Sequence, residues 1–79
     1  MNEAKKNEPA DRIRVGRIEA TLWKNASEKG DWYSVTLNRS YEDKDGKWQS
    51  TSSFSGTDLL LAAEAMRLAY VRSRELQAG

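Results

Sequence analysis

The spacing of apolar residues changes once along this chain, and that change constrains the fold more than any other feature. Between Arg12 and Ser55 apolar residues recur at alternate positions, the period of a strand. Between Leu59 and Leu76 they recur at three- and four-residue intervals, the period of a helix. Such an order predicts an α+β fold: a twisted antiparallel meander of three or four strands, then one long C-terminal helix packed on one face. A length of 79 residues leaves room for one domain, since domains usually run to about 100–200 residues.

The domain is expected over 12–79, preceded by an arm at 1–11 that is charged, carries the only proline (Pro9) and has no Ile, Leu, Val or aromatic residue. In the first alternating run Ile13 and Val15 are odd, whereas Ile18, Ala20 and Leu22 are even. The parity flips at Gly16-Arg17, which predicts a bulge or break at Gly16, read here as a kinked strand. Asn25 to Asp31 carries turn residues. The next run, Trp32 to Tyr41, sets Tyr33, Val35 and Leu37 against Trp32, Ser34, Thr36, Asn38 and Ser40. Asp45-Gly46 marks a hairpin. The last run, Lys47 to Ser55, is rich in Ser and Thr, and Phe54 is expected to face the core with Trp48 sharing its parity.

Thr57 or Ser55 suits a helix cap, and Asp58 suits the first turn. On a helical wheel Leu59, Ala62, Ala63, Met66, Ala69 and Tyr70 form one stripe, and Leu61, Ala65, Leu68 and Leu76 form a second. A helix on a single sheet needs an apolar arc of only about 100°. The second stripe is therefore expected to be covered by another copy of the chain, with Leu61, Ala65 and Leu68 at a homodimer interface.

The chain contains no His and no Cys. It thus has no thiolate nucleophile, no imidazole base and none of the usual structural-zinc ligands. Ser52, Ser53 and Ser55 lack a histidine to activate them, and the hairpin carboxylates Asp43 and Asp45 lack a calcium-loop repeat. No enzyme activity, metal or cofactor is expected. The longest apolar run is far short of the roughly 20 residues that span a bilayer, and the first residues lack the apolar segment of a secretory signal. The expected location is cytoplasmic.

The sheet face turned from the helix is expected to carry Arg17, Glu19, Thr21, Trp23, Trp32, Ser34, Thr36, Asn38, Ser40, Gln49, Thr51 and Ser53. Hydroxyls and amides bond phosphate and sugar oxygens, and exposed indoles stack on bases. The net charge is only +1, but residues 12–24 hold Arg12, Arg14, Arg17 and Lys24 against Glu19 alone. Positive charge is thus concentrated on the first run, where phosphate contacts would need it.

These elements resemble the positive-cofactor-four type of single-stranded-DNA-binding transcriptional coactivator, including small bacterial members. The resemblance rests on Ile13-Arg14-Val15-Gly16-Arg17-Ile18, on Tyr33-Ser34-Val35-Thr36-Leu37-Asn38-Arg39, on the hairpin Asp43-Lys44-Asp45-Gly46 and on the final helix. It implies a homodimer whose sheets hold extended single strands. It also implies DNA contacts at Arg17, Lys24 and Tyr41, with Trp23 and Lys47 near contact positions. The chain departs from that family in its low net charge and in lacking a Ser/Lys-rich arm. The hairpin and the Ala-rich helix after Phe54 also resemble the arm-binding domains of tyrosine-type phage integrases, which place a three-stranded sheet in the major groove of duplex DNA.

The expectation is therefore a non-catalytic dimer that binds single-stranded nucleic acid, of the kind associated with transcription or replication. Arg14, Arg17, Lys24 and Lys47 would neutralise phosphates, Trp23, Trp32 and Tyr41 would stack on bases, and Thr36 and Asn38 would bond the backbone. The alternatives are a protein-interaction module and a duplex-DNA-binding sheet.

Overall fold

The computed structural model describes residues 8–78. Four strands, β1 (Pro9–Val15), β2 (Ile18–Ser27), β3 (Gly30–Glu42) and β4 (Trp48–Thr51), precede one helix, α1 (Asp58–Ala78). The strands form one open sheet in the order β1-β2-β3-β4, every neighbouring pair antiparallel. The expected α+β meander is the fold observed.

The parity flip at Gly16 is a full reversal, not a kink. Val15 pairs with Ile18, so Gly16-Arg17 is a two-residue hairpin loop. Residues that flank such a loop face each other and lie on one side of the sheet, which moves the apolar set from odd to even positions. Gly16 adopts φ +61°, a conformation costly for any residue with a Cβ.

The sheet begins earlier than the charged arm suggested. Pro9 pairs with Trp23, and the register shifts before Asp11 pairs with Leu22. Of the expected arm, residues 1–7 lie outside the described residues. The Asn25–Asp31 turn is also shorter than its composition implies, because pairing continues to Ser27 and Gly30. Ser27 closes it by donating its hydroxyl to the Gly30 carbonyl at 2.8 Å.

The core joins Ile18, Ala20 and Leu22 of β2 to Ala62, Ala65 and Ala69 of α1, with Ile13, Val15, Val35, Leu37, Phe54, Leu61 and Leu76 packed around it. Ile18 and Leu22 are fully buried, each contributing about 1.5–3 kcal/mol by leaving water. The alanine stripe lets α1 approach the sheet closely, and the Cα atoms span only 15 Å along the shortest axis.

Of the expected dimer residues, Ala65 is corrected by this packing. Ala65 is completely buried against the chain's own sheet, Leu61 packs on the same core, and Leu68 is half-buried. Solvent instead meets Leu59, Met66 and Tyr70, which are 57%, 47% and 65% exposed. The roll of α1 follows from small side chains at the contact and from ion pairs at both ends. Asp58, at the N-terminus, lies 3.5 Å from both Arg17 and Arg39. Arg72, near the C-terminus, donates to Asp11 at 2.6 Å. Both clamps lie on the sheet side of the helix and hold that side inward.

Candidate functional site

Opposed residues of a ladder share a face, so the strand registers define the surface turned away from α1. From β1 it receives Arg12 and Arg14, opposite Thr21 and Glu19. From β2 and β3 it receives the pairs Glu19–Asn38, Thr21–Thr36, Trp23–Ser34 and Asn25–Trp32. From β3 and β4 it receives Ser40–Ser50 and Glu42–Trp48. All three tryptophans of the chain therefore stand on one face.

Trp48 belongs to this face although its parity with Phe54 predicted the other side. β4 ends at Thr51, and Phe54 reaches the core from the connection to α1, so its parity carries no information about the strand. Gln49 and Thr51 pair with Tyr41 and Arg39 and lie on the helix side. Ser53 follows the strand, where its carbonyl accepts from Arg39 Nε at 3.2 Å. Trp48 and Arg12 were missed as site residues. The hairpin would have revealed Trp48, because the loop centred on Asp45 sets Glu42 opposite Trp48.

The nine expected contact residues separate into groups. Arg14, Trp23, Trp32, Thr36 and Asn38 are brought together on the open face. Arg17 is drawn to the helix terminus by Asp58. Lys24 pairs with Tyr33 in the ladder and reaches Asp31 at 3.3 Å, on the helix side. Tyr41 is also on that side, with the Arg39 guanidinium 5.5 Å from its ring centre. Lys47 lies in the β3–β4 loop.

That loop is organised by Asp43. Its Oδ1 accepts from the backbone N–H of Asp45 and of Lys47, and its Oδ2 accepts from Gln49, each at 2.9 Å. These bonds, the one from Gln49 foremost, hold the Asp43 carboxyl below its ordinary range. Among the described residues no carboxylate pairs with Arg12, Lys44 or Lys47, while Arg14 lies 3.6 Å from Glu19. An exposed pair of that kind contributes about 0–1 kcal/mol and leaves Arg14 free to exchange partners.

Polar contacts hold the middle of the face. The Trp23 indole Nε1–H donates to Thr36 Oγ1 at 3.0 Å. Asn25 Nδ2 donates to Ser34 Oγ at 3.1 Å and to the Trp23 carbonyl at 3.3 Å. A cleft of about 350 Å³ opens beside Trp23, Lys24, Asn25 and Ser34. Trp32 and Trp48 are 52% and 69% exposed. Such a surface can stack on flat rings and exchange hydrogen bonds with polar groups between them. Among the described residues no cluster of acidic side chains is arranged to hold a metal ion, and no helix is long and apolar enough to cross a membrane. Comparison with protein-family models, with characterised proteins and with solved structures finds no match to this chain.

Proposed function

We propose that this chain binds single-stranded nucleic acid on the open face of its sheet and performs no catalysis. The observation that carries this reading is the gathering of Trp23, Trp32 and Trp48 on the sheet face that, among the described residues, no element covers. Trp32 and Trp48 are exposed and Trp23 is half-buried; exposed aromatics on a small sheet are costly unless a partner covers them, and stacked bases are such a partner. Thr36, Asn38, Ser40 and Ser50 supply hydrogen bonds between the rings. Arg12 and Arg14 at one edge, with Lys44 and Lys47 at the β3–β4 loop, supply phosphate contacts. Because Glu19 and Glu42 share the face, attraction to phosphate is modest and stacking provides most of the affinity.

The proposal includes a homodimer, with a second copy covering the outer stripe of α1 at Leu59, Met66 and Tyr70 in place of the stripe expected from the helical wheel. It also includes a cytoplasmic location and a role in transcription or replication.

Titration of the intrinsic tryptophan fluorescence with a short oligothymidine at low salt tests the binding. Quenching is expected, with a salt slope of about −1.5 to −3, equivalent to two to four phosphate contacts on a single strand. Stacking is worth about 1–3 kcal/mol per base, so Trp32→Ala and Trp48→Ala should each weaken binding by about 5- to 150-fold. Absence of any response at high micromolar oligothymidine would overturn the reading in favour of a protein-interaction face. Tighter binding of duplex would favour groove insertion.

A further inference from the structure

We propose that the centre of the open face is a seat for one unpaired nucleobase, read at its pairing edge by Asn25. This rests on the nucleic-acid reading above and adds a reason for preferring single strands. Trp23 opposes Ser34, and Asn25 opposes Trp32, so these four residues form a square on one face. The two indoles occupy one diagonal. Asn25 and Ser34 occupy the other and are bonded across it at 3.1 Å. Diagonal neighbours on a sheet stand about 7–8 Å apart, and the Trp23 indole leans away from Trp32 toward Thr36, so a base in this seat stacks on Trp23 alone. Trp23 is tethered through its Nε1–H to Thr36, which lies on the far side of Ser34 from Trp32, and beside it opens the cleft of about 350 Å³, lined by Trp23, Lys24, Asn25 and Ser34 and not by Trp32. That volume lies at the small end of the roughly 300–1,000 Å³ typical of ligand pockets.

The floor of the cleft has a fixed polarity. Asn25 Nδ2 gives one hydrogen to Ser34 Oγ and one to the Trp23 carbonyl, which exhausts its donors and fixes the amide's orientation. Oδ1 is left as an acceptor, without a protein donor among the described residues. Ser34 accepts from Asn25, so its own hydrogen is free to donate. An acceptor beside a donor complements the pairing edge of a base, where a ring or exocyclic N–H adjoins an acceptor. In a duplex that edge is occupied by the opposite base; in a single strand it is free.

The test compares oligothymidine with the same oligomer built from N3-methylthymidine, which stacks but lacks the pairing-edge N–H. The full chain should bind the unmodified oligomer about five- to tenfold more tightly, the effect of leaving one hydrogen bond unmade. Asn25→Ala should bind the two oligomers equally while retaining stacking-driven quenching. Equal affinities in the unsubstituted chain, or discrimination that survives Asn25→Ala, would overturn the seat. If Trp32→Ala still weakened binding, the nucleic-acid reading would stand without it. Failure of both oligomers to bind would remove both. The comparison in the unsubstituted chain decides the matter even if Asn25→Ala does not fold.

Discussion

Replacing Ala65 by leucine puts an isobutyl group where the structure leaves no accessible surface. Ala65 is fully buried in the layer between α1 and the β2 residues Ile18, Ala20 and Leu22. The sheet cannot yield without disturbing the ladders on both sides of β2. The helix cannot yield without stretching the Asp58 and Arg72 clamps at its two ends. Overpacking of this kind costs about 1–3 kcal/mol. A domain of this size has only about 4–10 kcal/mol of stability in total. At roughly 4–8 °C per kcal/mol, the melting temperature should fall by about 5–20 °C. Ala63→Leu makes the same chemical change on the exposed side of α1, with the same small change in helix propensity, and should leave the melting temperature nearly unchanged. Thermal unfolding of dilute protein, followed by circular dichroism at 222 nm, compares the two. A large loss for Ala63→Leu with none for Ala65→Leu would refute the assigned roll of the helix.

Further predictions concern acid sensitivity, association and the first hairpin. Hydrogen bonds from Arg72 to Asp11 and from Gln49 to Asp43 hold these carboxyls below their ordinary 3.8. Stability from a depressed carboxyl is complete above its unfolded pKa and is lost as pH falls through the folded value. The urea midpoint should therefore hold steady from neutrality to about pH 5 and decline below about pH 4, more steeply in the parent than in Asp43→Asn; equal midpoints at pH 3 and pH 5 would contradict this. Tyr70→Glu together with Met66→Glu should yield a monomer by sedimentation equilibrium without lowering helix content, and a parent already monomeric at high concentration would remove the proposed dimer. Gly16→Val combines a strained φ of +61° with a Cβ 3.1 Å from a Leu61 methyl. It should cost about 1–3 kcal/mol, and an unchanged melting temperature would show that the hairpin relaxes.

Much of the face was legible because strand alternation is a local property. The opposition of Ile18, Ala20 and Leu22 to Glu19, Thr21 and Trp23 follows from backbone geometry alone, and so does that of Val35 and Leu37 to Ser34, Thr36 and Asn38. Where a strand ends is not local. Parity with Phe54 misplaces Trp48, because Phe54 lies beyond the end of β4. Arg17, Lys24 and Tyr41 were expected to meet a ligand because of their type and order along the chain. Their surroundings depend on Asp58, Asp31 and Arg39, which only the folded chain brings to them.

The change of period by itself determined the class of fold, the succession of strands and helix, and the Gly16 break that becomes a hairpin. Each follows from repeat spacing or from the conformational freedom of one residue. Tertiary structure alone decided the roll of α1, whose inward side takes Ala62 and Ala69 from one apolar stripe and Leu61, Ala65 and Leu76 from the other. Local helix geometry is nearly indifferent to rotation about the helix axis. The choice falls to close packing at Ala62, Ala65 and Ala69 and to clamps between residues as far apart as Asp11 and Arg72. The same long-range pairing decided that three tryptophans from separate strands share the sheet face turned away from α1.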